Sequence, residues 1–322
     1  MRSRAAAGGH RARPLGLVLL LALAVALGGC TTGQGDRGDI GGPGAASTSG
    51  STGTRTGRGA ASTGGSRAAR AVLSGFVAFG DFGGGEHQQQ VAAAIEHWAT
   101  SHRVDALVTT GDNVYDHGDP RQFGPQLDQP YRRLRRIRPL WVALGNHDVE
   151  AGYGPLQLAH LGLPPLPYAK RLPGVELLFL DANHPDQRQG AWLDQHLAAP
   201  GPRFRVVVFH QPAYSCGSEH GSTRKVIRRW VPILERHRVA LVLNGHEHDY
   251  QRFGSGAGVT YVVTGGGGKS LYPIRRSCSG VPARRAWAVR YHFVAVEVRR
   301  GSLELTAIAA DGSVLDHATL TR

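Results

Sequence analysis

The chain has 322 residues, with 37 Lys or Arg against 24 Asp or Glu and a formal charge of +13. Its first 70 residues carry too few large apolar side chains beyond one short run to build a core, which leaves about 250 residues, enough for one sizeable domain. The positive balance favours anionic substrates or surfaces without choosing among a small anion, nucleic acid, cell-wall polymer and acidic lipid.

Arg2, Arg4, Arg11 and Arg13 precede the uncharged run from Leu15 to Leu27. That run is too short for a relaxed membrane span and has the layout of a secretory signal over residues 1–29. It ends Leu27-Gly28-Gly29-Cys30, small residues leading to a single cysteine, which resembles the lipobox of bacterial lipoproteins. The resemblance implies cleavage before Cys30 and a lipid on its sulfur. The expected location is the extracellular face of the bacterial cell membrane, lipid-anchored, or secreted. From 31 to 70, 24 of 40 residues are Gly, Ser or Thr, so residues 30–72 read as a flexible tether. Without the four leading arginines, 33 basic residues face 24 acidic ones, a net charge of +9.

From residue 73 to 322 apolar runs alternate with helix-like segments, the pattern of an α/β layered domain. Strands are expected at Phe76 to Phe79, Ala106 to Thr109, Trp141 to Leu144, Val175 to Leu180, Val206 to Phe209 and Ala240 to Leu243. Helical spacing covers Glu86 to Thr100, Gln189 to Leu197 and Thr223 to His237. Leu134 and Ile137 are three apart in the basic run Tyr131 to Arg138, an amphipathic helix with a solvated face. His117 to Pro130 and Gly152 to Pro173, rich in Gly and Pro, read as long loops. Val259 to Val263, Tyr291 to Val298, Leu303 to Ala309 and Val314 to Leu320 read as a meander closing one sheet, with Arg300-Gly301 and Asp311-Gly312 as turns.

Five short blocks carry the chemistry: Asp81 in GDFG, Asp112 and Tyr115 in GDNVY, Asn146, His147 and Asp148 in GNHD, His210 in VVFH, and His246 and His248 in GHEH. Most follow an apolar run directly, which puts oxygen and nitrogen donors at strand ends. Such donors suit iron, manganese or zinc. A phosphoester resists hydrolysis because its anionic oxygens repel a nucleophile, and a pair of cations answers this by neutralising charge and activating water. Asp112, flanked by Gly111, is the natural bridge between two cations. A lone block is more often a turn or a cap, but five together are not.

In these motifs the chain resembles the metallophosphoesterase superfamily, calcineurin-like, over roughly residues 73 to 320, and within it the purple, tartrate-resistant acid phosphatases. Many relatives carry Asp-X-His in the first block; here Gly83 stands two after Asp81 and Tyr115 three after Asp112. The resemblance implies a four-layer sandwich of two packed mixed sheets flanked by helices. It implies one metal on Asp81, Asp112, Tyr115 and His248 and a second on Asp112, Asn146, His210 and His246. The first is then Fe(III) bound by tyrosinate and the second divalent Fe, Zn or Mn. It further implies attack of a metal-bound hydroxide on a small phosphomonoester, with His147 directed at the phosphate and His220 helping the leaving group. Asp148 and Glu247 would orient imidazoles.

A phosphodiesterase or nucleotidase with the same metals, and a surface protein that only grips phosphate, remain the alternatives; no specific nucleic-acid partner is expected. Cys216 and Cys278 are a candidate disulfide for an oxidising compartment. Gly265-Gly266-Gly267-Gly268-Lys269-Ser270 is not a phosphate-binding P-loop, since Val263 stands where a glycine is required. The run reads instead as backbone passing close to the metal mouth. His87, His97, His102 and His117 have no partner pattern and read as surface residues.

Overall fold

The computed structural model describes residues 71–322; the signal, Cys30 and almost all of the tether lie outside them. Within the described residues, thirteen strands form two sheets. The first has six strands in the order β13-β12-β11-β1-β2-β3: β1 (Val72–Phe79), β2 (Ala106–Thr109), β3 (Leu140–Val142), β11 (His292–Arg299), β12 (Ser302–Ala309) and β13 (Val314–Thr321). The second has seven in the order β10-β8-β9-β7-β6-β5-β4: β4 (Tyr168–Leu172), β5 (Val175–Phe179), β6 (Phe204–Val208), β7 (Leu241–Asn244), β8 (Tyr250–Gly254), β9 (Thr260–Thr264) and β10 (Ala283–Ala288).

Side-chain alternation makes the layers. On the second sheet Leu177, Phe179, Val206, Val208, Leu241, Leu243 and Val262 join the core shared with the first sheet. Their neighbours one residue on, among them Leu178, Val207, Phe209 and Val242, bury instead against Leu193, Leu197, Val226, Trp230 and Leu234 of three helices. The first sheet is covered on its far side by Val91, Ala92 and Ile95 of the helix Glu86–Trp98. Helix, sheet, sheet, helix is the expected four-layer order. Strands β1, β2 and β3 are mutually parallel, as are β5, β6, β7 and β9. Their carboxyl ends are therefore the natural place for chemistry.

Several expectations need correction. The last four strands do not form one meander: β11, β12 and β13 do, but Thr260–Thr264 pairs in parallel with β7 in the other sheet. The helix expected from Thr223 to His237 is two helices, Arg224–Arg229 and Val231–Arg236, because Pro232 cannot continue the first ladder and instead opens the second. In the arginine run only Arg132–Arg135 is helical; Tyr131 and Leu134 are buried while Ile137 is 76% exposed, so apolar spacing did not predict facing. The two long loops are also partly regular. Residues 117–130 contain short helical turns at Pro120–Gln122 and Phe123–Asp128, and residues 152–173 contain the helix Gly154–His160 and strand β4. His102 is half-buried, stacked on Trp98 with ring centroids 3.4 Å apart; His87, His97 and His117 are exposed.

A polar clasp joins β13, the edge of the first sheet, to β8, one strand in from the edge of the second. Asp316 of β13 accepts from the Tyr250 hydroxyl at 2.6 Å and from Arg252 at 2.6 and 3.0 Å, both on β8. Those donors hold the Asp316 carboxyl below its usual range, against the burial that would raise it. Asp316→Ala leaves a buried phenol and a mostly buried guanidinium unpaired and is expected to cost about 1–3 kcal/mol in urea unfolding. Because the folded-state carboxyl is the stronger acid, this contribution is complete above about pH 4 and fades as pH falls through the depressed value. A stability difference between variant and parent that persists unchanged at pH 3 contradicts the assignment.

Candidate metal centre

Each donor stands just beyond a strand. Asp81 follows β1, Asp112 follows β2 and Asn146 follows β3, all in the first sheet; His210 follows β6, and His246 and His248 follow β7 in the second. The site therefore straddles the seam between sheets. The chain must turn sharply at these ends, and Asp81, Asp112 and His246 adopt left-handed backbone with φ of 58°, 50° and 73°. Such conformations are costly outside glycine and persist where function holds them.

Asp81, Asp112 and His210 place one donor atom each within 4.8 Å of one another, all buried. His210 Nε2 lies 3.3 Å from Asp112 Oδ2, and His248 Nε2 lies 3.5 Å from Asp81 Oδ1. The Tyr115 hydroxyl is 3.0 Å from Asp112 Oδ2 and 3.4 Å from His248 Nε2. His246 Nδ1 meets His210 Nε2 at 3.2 Å. Six of the seven proposed ligands are linked by these contacts, and the seventh, Asn146, has a buried Oδ1 that makes no hydrogen bond.

Main-chain contacts aim the rings. His210 Nδ1 lies 3.0 Å from the Thr110 carbonyl and His248 Nδ1 lies 2.7 Å from the Ser270 carbonyl. Donation there keeps the hydrogen on Nδ1 and directs each Nε2 inward. The Asp81 carboxylate accepts from the His246 N–H at 3.0 Å, and Asp112 accepts from the His147 N–H at 3.0 Å. Asp148 and Glu247 do not orient imidazoles. Asp148 accepts from the backbone N–H groups of Asn113, Val114 and Gly145 and from Gln157, tying the second block to the third. Glu247 accepts from the N–H groups of His220 and Gly221, so it holds the His220 loop.

His147 and His220 stand beside the donors. The His147 Nε2 is 4.0 Å from Asp112 Oδ2, and its Nδ1 lies 2.5 Å from the Asp116 carbonyl. His220 is exposed and stacks on the His246 ring at 4.0 Å between centroids. Tyr272, which no sequence signal marked, stacks on His248 at 3.9 Å. Asn183, in the loop after β5, donates to the carbonyls of Leu144 and Gly145 and accepts from Gln211, bracing the Asn146 turn.

The glycines of the fourfold run pack as expected. A Cβ on Gly265 would strike the Glu247 carbonyl and stand 2.8 Å from Asp81 Oδ2, and one on Gly268 would stand 2.5 Å from the Phe82 carbonyl. Backbone passes where no side chain fits. Cys216 and Cys278 are disulfide-bonded with Cα atoms 5.6 Å apart, joining the loop after β6 to the loop after β9.

Electrostatics favour a bound cation. Burial raises Asp81, while in Asp112 the charges of His210 and His147 overcome burial and hold the carboxyl below its usual range. Burial would lower His210, but Asp112 and Asp81 raise it to about 9. Burial and the neighbouring His210 and His220 depress His246, leaving an unprotonated donor. Burial and the Asp81 and Asp112 charges push the Tyr115 phenol well above its usual range, so only a strong cation at its oxygen would ionise it.

Buried carboxylates, imidazoles and a phenol converging beyond the parallel strands are donors of the kind that hold a metal ion. The chain belongs to the calcineurin-like phosphoesterase family, which matches residues 75–250. Among curated relatives it is 26% identical over 310 residues to tartrate-resistant acid phosphatase type 5 of Sus scrofa, covering 80% of this chain and 89% of that one. It is 24% identical to purple acid phosphatase 4 of Arabidopsis thaliana, covering 74% and 81%. Similar solved folds include purple acid phosphatase PPD1 from yellow lupin, at TM-score 0.67, 18% identity and 77% and 54% coverage. The GAP50 anchor of the inner membrane complex of Plasmodium gives TM-score 0.65 at 19% identity, covering 78% and 89%. The protein is a phosphoester hydrolase with a dinuclear metal site.

Because Asp112 and Asp81 keep a proton on His210 up to about 9, a cation bound there replaces that proton. Zinc titrated into the metal-depleted protein at pH 7, followed calorimetrically in buffers of different ionisation enthalpy, should release protons and bind more tightly at pH 8 than at pH 6. Buffer-independent heats would show that the carboxylates do not hold His210 in this way.

Proposed function

We propose that the protein is an acid phosphatase of the purple type, acting on small phosphomonoesters with Fe(III) beside a divalent Fe, Zn or Mn ion. The observation that carries this reading is the Tyr115 hydroxyl, buried 3.0 Å from Asp112 Oδ2 and 3.4 Å from His248 Nε2, with glycine at position 83. Tyr115 would share the first metal with Asp81, Asp112 and His248; Asn146, His210, His246 and Asp112 would hold the second. When bound, the ions neutralise phosphate charge and activate water.

The chain's own residues supply the rest. Asp112 lies between the two donor groups and carries charge to both. His147, one-third exposed and anchored through the Asp116 carbonyl, points a ring nitrogen toward the mouth and would donate to a phosphate oxygen. His220, held on a loop by Glu247 and stacked on His246, would give a proton to the departing alkoxide. The N-terminal pattern supports export and lipid attachment at Cys30, with the tether reaching from the membrane.

The purified mature domain should be pink or purple, carry two metal ions and hydrolyse phosphomonoesters faster than diesters. A colourless, iron-free and fully active enzyme refutes the tyrosinate assignment, and a preference for diesters refutes the substrate class. His210→Ala or Asp112→Ala should remove turnover. His220→Ala should lower kcat by about 10²- to 10⁴-fold for alkyl esters and much less for aryl esters, whose leaving groups need no proton. An equal loss for both would remove His220 from that role.

A further inference from the structure

Lys269 closes the glycine run and has no part in the ligand set. Its backbone N–H donates to the Asp81 carbonyl at 2.9 Å, which fixes it to the loop of the first ligand. Its side chain then turns over the second ligand block. The ammonium lies 4.3 Å from the centroid of the Tyr115 ring and donates to Asp116 Oδ1 at 3.2 Å. Gly83 makes this approach possible: a Cβ there would stand 2.7 Å from Lys269 Cδ and 2.9 Å from Tyr115 Cδ2, on backbone at φ 53°. The Tyr115 ring thus meets metal donors at its oxygen and a positive charge on its face. That face is electron-rich, and more so once the oxygen is ionised.

We propose that Lys269 is a positioning residue that sets how strongly the Tyr115 phenolate donates to its metal. The inference rests on the reading of Tyr115 as a phenolate ligand of ferric iron. A fixed positive charge over the ring stabilises its filled π orbitals, by an amount that falls with distance and is largest in a site sheltered from water. Donation to the metal weakens, and the transfer of an electron from ring to metal takes more energy. The Lys269 side chain is 35% exposed and Asp116 is exposed, so the balance between these two charges is set at the rim of the mouth.

The test uses the purified mature holoenzyme. Lys269→Met keeps the packed stem and removes the charge; its visible band should move to longer wavelength and the midpoint potential of the iron should become more negative. Lys269→Arg should hold the parent band. Asp116→Asn, which removes the opposing charge, should move the band the other way, to shorter wavelength. Tyr115→Phe should abolish it, which ties the band to that residue. A band and potential unmoved in Lys269→Met, or moved in the same direction by Asp116→Asn, overturn the role of Lys269 while leaving the tyrosinate in place. A parent protein that binds iron without a visible band overturns both.

Discussion

The structure depends on keeping two carboxylates, Asp81 and Asp112, buried side by side. They are 0% and 2% exposed, and neither has a lysine or arginine as an ion-pair partner among the described contacts. Two like charges out of water repel strongly and lose their hydration, so something positive must stand between them. Backbone N–H groups and the imidazoles of His210 and His248 answer part of this demand. A multivalent cation bound between them would answer the remainder.

That demand explains features that would otherwise look like defects. Aspartates in left-handed backbone, an amide oxygen without a partner and glycines pressed against carboxylates each carry a local penalty. All are gathered at one end of the strands, above a core rich in Val, Leu and Phe. A rigid, well-packed base bears the cost of an exacting rim. Loops tied by Asp148, Glu247 and the Cys216 to Cys278 bond keep that rim in register without touching the metals themselves.

Much of this was legible in the chain. Strands rich in Val and Leu followed at once by Gly-Asp, Gly-Asn-His or Gly-His announce both the layer and its mouth, since burial and chemistry change over a single residue. What stayed hidden depended on partners distant in sequence. Strand β8, which begins at buried Tyr250, and β10, an edge strand with two adjacent arginines, carry no continuous apolar run of strand length. Strand β9 has one, but its choice of sheet is decided by pairing with β7. Spacing placed Ile137 inward with Leu134, yet the helix stops at Arg135 and turns it out. Tyr272, Asn183 and the contact of Lys269 with Tyr115 follow from loop paths that no local pattern encodes.

The placement of ligands on both sheets has a consequence for how the chain acquires its site. Asp81 and His246 are 165 residues apart in sequence, yet the backbone N–H of one supports the carboxylate of the other. The donors that converge come from both halves of the chain, so neither sheet alone completes the site. The site is therefore among the last things to exist during folding, since its loop-closure cost must be met before any ligand contact rewards it. A cation bound across both sheets would stabilise only the fully docked state.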